Sequence, residues 1–122
     1  MIPYQQILRD SSIKILKEIL TYISKNRIGD SSLIIFFKTN TKDVILPVHI
    51  KQKYPDETAI SLNEDCFNDL KIEDKGISLI LLFGKTKHKV YIPFDNITKF
   101  ADTVYNVSFT IPLENVKTIR YA

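Results

Sequence analysis

The stretch from Gly76 to Phe100, GISLILLFGKTKHKVYIPFDNITKF, constrains the fold more than any other part of the chain. Ile77 to Phe83 is almost unbroken apolar sequence, with Ser78 its only polar member. Gly84 ends it, a basic loop follows (Lys85, Lys87, His88 and Lys89), and Val90-Tyr91-Ile92 begins a second apolar run. Two runs of β-formers joined by a short, glycine-led polar loop predict a hairpin. A half-buried strand alternates apolar and polar side chains, and Leu79 to Phe83 does not. Either the protein covers both faces of this strand, or one face carries an apolar surface that something else must cover.

The rest of the chain supplies one helix and several short strands. Pro3 suits a first helical turn and precedes a helix from about Tyr4 to Lys25. Tyr4, Leu8, Ile15, Ile19 and Tyr22 (or Ile23) follow one line at helical spacing, and Ile13, Leu16, Leu20 and Ile23 follow a second. Together they make a stripe wider than a one-sided surface helix needs. Either the whole stripe packs on the core, or one line packs there and the other meets a second subunit. Gly29, just past Arg27-Ile28, is the expected stop. Leu33 to Phe37 reads as a buried strand, Val44-Ile45-Leu46 as a short one, and Val48 to Tyr54 as a turn or two of helix. Thr58 to Leu62 is a strand with Ala59 and Ser61 on one face and Ile60 and Leu62 on the other. Phe67, Leu70 and Ile72 lead to the turn Glu73 to Gly76. Asp95 is expected to N-cap a short helix carrying Ile97 and Phe100. Tyr105, Val107, Phe109 and Ile111 alternate with polar residues as a last strand, ended by Pro112.

At 122 residues the chain is long enough for one core and too short for two, so residues 1–122 are expected to form a single domain. The predicted class is α+β, mainly β: a helix at 4–25, strands over about 32–112 closing into a small barrel or two packed sheets, and a short end at 113–122. Net charge is +3; nine of the 17 basic and six of the 14 acidic residues lie in residues 1–61, and eight of each follow. That footprint is weak for a nucleic-acid module, and nucleic acid is not the expected partner. One cysteine, Cys66, excludes an internal disulfide and a cysteine-based metal site and agrees with a reducing cytosol. There is no signal-peptide pattern and no apolar run near the ~20 residues that cross a bilayer, so a cytoplasmic protein without a membrane partner is expected.

Catalysis finds little support. His49 and His88 are the only histidines, and neither has ligand spacing to another metal-binding side chain, so no metal and no cofactor is expected. The three glycines fit turns rather than a phosphate cradle or nucleophile elbow. Glu64-Asp65 and Glu73-Asp74 read as solvated turn charge, and Cys66 as a buried small residue, with no local cation to lower its pKa. Lys85 to Lys89 can be read as a solvated hairpin tip that discourages edge pairing or as a basic rim that attracts an acidic ligand.

The order of residues is more specific than any one of them. Ile2-Pro3-Tyr4, Gly29-Asp30, Ile35, Phe37, Thr39, Tyr54-Pro55 with Glu57, and Ile60 with Leu62 are followed by a denser set. That set is Phe67, Asp69-Leu70, Phe83-Gly84, Pro93-Phe94, Ile97, Phe100 and Asp102. In this order the chain resembles the SspB family, adaptors that deliver tagged proteins to the ClpXP protease, and most of all its alpha-proteobacterial branch. The resemblance implies an SH3-like, partly open β-barrel and a non-enzymatic, peptide-binding homodimer. The N-terminal helix would lie at the interface, through Tyr4, Leu8, Ile15, Ile19 and Tyr22. It also implies an apolar groove for ssrA-type C-terminal degradation tags, carried by Ile60, Leu62, Leu82, Phe83, Gly84 and Ile92 with Lys85 at its rim. Tagged polypeptides and the unfoldase ClpX would be the partners.

Two positions depart from the family. Its loop has two consecutive glycines after the phenylalanine, where this chain has Gly84-Lys85, which restricts the backbone and adds a long side chain near the groove. Asn115 to Ala122 shows neither a long linker nor a good docking motif for ClpX, and reads as a strand or a frayed end. The competing readings are a barrel that binds single-stranded RNA through its strand surface and the Lys85 to Lys89 loop, and a structural protein-interaction subunit.

Overall fold

The computed structural model describes residues 1–26, 29–62 and 67–112, the side chains of Phe67 and Asn68 excepted. The expectations for Arg27-Ile28, for Glu64-Asp65 and Cys66, and for the C-terminal segment 113–122 lie outside the described residues.

Helix α1 spans Tyr4–Lys25, as its apolar spacing predicts. Of the two lines on it, Leu16, Leu20 and Ile23 are buried in the core with Ile13 packed beside them, whereas Tyr4, Leu8, Ile15 and Tyr22 are exposed and Ile19 is half-buried. The helix ends before the expected glycine. Asn26 turns to an extended conformation, and both its backbone N–H and its side-chain amide donate to the Tyr22 carbonyl (2.9 and 3.0 Å). Gly29, at φ +68°, serves the turn that follows.

Seven strands follow: β1 (Leu33–Lys38), β2 (Glu57–Leu62), β3 (Phe67–Ile72), β4 (Gly76–Phe83), β5 (Thr86–Pro93), β6 (Ile97–Asp102) and β7 (Val107–Thr110). A short helix α2 (Val48–Lys53) connects β1 to β2. The strands form two antiparallel sheets, one in the order β2-β1-β6-β7 and one in the order β3-β4-β5. Among the described residues no ladder joins the two sheets into a closed cylinder, and the architecture is the α+β, mainly β, partly open barrel expected. Between the sheets lie Ile35, Phe37, Leu62, Ile77, Leu79, Ile92, Ile97 and Phe100, each almost wholly buried. A side chain of this kind contributes about 1.5–3 kcal/mol when buried.

Three expectations change. Val44-Ile45-Leu46 is not a strand of either sheet; Ile45 alone bridges to Tyr91. The basic loop is only the two residues Gly84-Lys85, and Thr86 to Lys89 already belong to β5. Asp95 caps no helix: Phe94–Asn96 is one 3-10 turn, and Ile97 and Phe100 lie in strand β6. The cause of that last error is a β-bulge. Phe37 pairs with Ile97 and Phe36 with Lys99, so Thr98 is an extra residue. The bulge puts two inward side chains three apart, the spacing that also marks a helix face.

The 3-10 turn is held from both sides. Arg9, buried on α1, forms an ion pair with Asp95, and the Asn96 amide donates to the Lys38 carbonyl (3.0 Å) and to Thr41 Oγ1 (2.9 Å). Asp102 closes the β6–β7 turn by accepting from the N–H groups of Val104 and Tyr105 (3.1 and 3.3 Å). Burial alone would raise its pKa, but hydrogen bonds from Tyr105, Ser31, Val104 and Ser32 outweigh that and hold the carboxyl below its ordinary value.

Candidate functional site

The hairpin β4–β5 answers the question posed by its sequence, because its side chains alternate after all. Ile77, Leu79 and Leu81 point inward and are buried, while Ser78, Ile80 and Leu82 point outward. Ser78 is covered, Ile80 half-covered, and Leu82 is 46% exposed. The apolar run therefore serves two surfaces, the core on one side and an open stripe on the other. The register places Lys89 opposite Ile80 and Lys87 opposite Leu82. Cross-strand partners project from the same face, so two ammonium groups flank two aliphatic side chains, with exposed Lys85 at the tip.

The turn is set by Gly84 at φ +62°, with Lys85 outside the positive-φ region. Only the first of its two central residues needs a left-handed conformation, the pattern of a type II′ hairpin turn. Lys85 is thus compatible with this backbone, although the family resemblance sets a glycine there.

At the other end of the hairpin, Tyr91 binds Ile45 through both main-chain groups (3.0 and 3.1 Å). This bridge keeps Val44 and Leu46 in the core and carries the chain into α2. Main-chain groups of a strand alternate sides with period two, so those of Lys87 and Lys89 point outward as those of Tyr91 do. Among the described residues nothing outside the β4–β5 ladder bonds to them. The edge of β5 is thus, among the described residues, occupied at Tyr91 and open toward the tip. On the inward side of the same end, His88 packs edge-on against the Phe83 ring (5.8 Å between centroids) and against His49 of α2 (6.4 Å). Phe83 and His88 are half-buried and His49 is exposed.

The residues singled out in the sequence divide accordingly. Leu82, Phe83, Gly84 and Lys85 come together at the tip, with Leu82 on the outer face and Phe83 on the inner one. Ile60, Leu62 and Ile92 are core residues, at 7%, 0% and 0% exposure, and present no open surface. The sequence reading missed Ile80, the strand positions of Lys87 and Lys89, and His49. Counting by two back from Gly84 and forward from Lys85 would have found the first three. The proximity of His49 depends on the Ile45–Tyr91 bridge, which has no local signal. On α1, exposed Ile7 joins the line Tyr4, Leu8, Ile15, Ile19 and Tyr22. Beside the C-terminal half of that line lies a cleft of about 390 Å³ between α1 and the β6–β7 end of the first sheet.

No group of three metal-ligating side chains occurs among the described residues, and no described helix is long and apolar enough to cross a membrane. What the tip can do chemically is hold an extended chain: a free strand edge for main-chain bonds, an aliphatic stripe for one or two side chains, and lysines for carboxylates.

The sequence model of the family described as stringent starvation protein B, SspB, matches residues 5–119. No curated protein matches the chain.

Proposed function

The chain belongs to the stringent starvation protein B family, whose members are in general non-enzymatic adaptors of the ClpXP protease, and on that premise we propose that it binds C-terminal degradation tags of the ssrA type and hands the tagged proteins to ClpX. The observation that carries the reading is the half-open apolar stripe Ile80–Leu82, set between Lys85, Lys87 and Lys89 beside an unpaired strand edge. A tag with polar, acidic and small apolar residues suits that surface: its main chain extends β5, an apolar side chain covers Leu82, and its carboxylates lie near the lysines. In this reading Leu82, Phe83, Gly84 and Lys85 meet the tag, and Ile60, Leu62 and Ile92 support the surface from beneath. The exposed line on α1 pairs with a second copy about a two-fold axis, giving a cytoplasmic homodimer that carries two tags. Tethering at the protease would raise the local concentration of substrate there.

The test titrates the protein against a fluorescent ssrA-type peptide and follows anisotropy, at low and at raised salt, for the natural chain and for Leu82→Glu. Binding is expected to weaken with salt and to be lost in the variant while the melting temperature is kept. A response to a single-stranded oligonucleotide with none to the peptide would replace the adaptor reading by the RNA-binding one. Degradation of a tagged reporter by ClpXP, with and without the protein, tests delivery separately from binding.

A further inference from the structure

The outer face of the first sheet has no part in the tag reading. Across its middle, Ala59 of β2, Phe36 of β1 and Lys99 of β6 are register partners and project from the same side. With only a methyl group at Ala59, one flank of the half-buried Phe36 ring is left open. On the other flank the Lys99 ammonium stands 5.3 Å from the ring centroid. Tyr54, 40% exposed just before β2, holds a second ring with its own ammonium, Lys53 Nζ, 5.5 Å from the centroid. The position of Tyr54 is fixed through its carbonyl, which accepts from Thr39 Oγ1 (2.5 Å). Between the two rings runs a cleft of about 370 Å³, lined by the small residues Thr58, Ala59 and Thr98 and bordered by Glu57.

Two aromatic rings beside small residues, each ring with a lysine next to it, are the elements of a stacking site for an unpaired base. Every base has a π-face, and the phosphates on either side of it seek cations. Lys99 lines the cleft beside Phe36 and Lys53 stands over the Tyr54 ring, so each ring has a cation within reach of a phosphate. We propose that this cleft is a single-stranded nucleic acid site. One unpaired base lies against Phe36 and Tyr54, and the flanking phosphates meet Lys53 and Lys99. The Glu57 carboxylate accepts a hydrogen bond from a base amino group, favouring adenine or cytosine over uracil or thymine. The site shares no residue with the hairpin tip, so it stands or falls apart from the tag reading.

The experiment measures anisotropy of a short labelled single strand of alternating adenine and cytosine, at about 50 mM and about 200 mM salt. Binding is expected at the lower concentration and weaker at the higher, with little for the same strand annealed to its complement. Tyr54→Ala and Lys99→Glu, both at exposed side chains, should each weaken it roughly tenfold with unchanged melting temperature and unchanged tag-peptide binding. Leu82→Glu should leave it intact. Absence of binding at low salt overturns the proposal. So does binding that survives the Tyr54→Ala/Lys99→Glu double variant, or binding lost instead in Lys87→Glu/Lys89→Glu, which would assign the strand to the hairpin face. Equal binding of duplex would show a merely electrostatic contact and overturn it too.

Discussion

Single side chains set sharp limits on this molecule. A Cβ built on Gly76 would lie 2.6 Å from the Ile92 carbonyl oxygen and 2.7 Å from the Tyr91 hydroxyl. Because one of those atoms is backbone, Gly76→Ala should cost about 1–3 kcal/mol in urea unfolding, and trimming Tyr91 should restore only part of it. Ile92→Ala, wholly inside the core, should cost about 2–5 kcal/mol, whereas Leu82→Glu should leave stability nearly unchanged and act on tag binding alone. Asp102 offers a pH test. Unfolding returns its lowered pKa to the ordinary 3.8, so the ionised carboxylate stabilises the fold above that pH, and the contribution is lost as pH falls through the lower folded value. Asp102→Asn should therefore be about 1 kcal/mol less stable at neutral pH, and the gap to the natural chain should close in acid.

Elements were legible in the sequence where one period ran undisturbed. The 22 residues of α1 are such a case, as is β2, where Ala59 and Ser61 face out and Ile60 and Leu62 face in. Legibility failed where a bulge or a non-local bond intervened. Thr98 spaced Ile97 and Phe100 like helix neighbours, and neither the Ile45–Tyr91 bridge nor the Arg9–Asp95 pair is marked by anything nearby in the chain. Of the groove positions implied by the family resemblance, Leu82 to Lys85 share the hairpin tip and Ile60, Leu62 and Ile92 lie in the core, a division the sequence does not show because an apolar strand residue looks the same whether it faces core or solvent. At this scale the exposed line of α1 makes a prediction. Leu8→Glu with Ile15→Glu alters two exposed positions and should keep the helical signal while the light-scattering mass falls from two chains to one. A natural chain that already scatters as one would contradict the dimer.

At the scale of the whole molecule, the two sheets separate two tasks. The β3-β4-β5 sheet presents the tip proposed to hold the tag, and the β2-β1-β6-β7 sheet presents the aromatic cleft, while one core lies between them. Occupancy at one face should therefore leave affinity at the other unchanged, which a titration of peptide in the presence of saturating oligonucleotide would measure. The two-residue turn at Gly84-Lys85 reaches further than the hairpin it closes. Every inside-or-outside assignment across β4 and β5 is matched through it, so a single residue added there either bulges the loop or shifts β5 by one against β4, which would turn Lys87 and Lys89 inward and His88 and Val90 outward. If the tip holds the tag as proposed, replacing Lys85 is the change at the turn that alters the surface while leaving this register intact. Variation in tag preference at this end should therefore appear as substitution more often than as single-residue insertion.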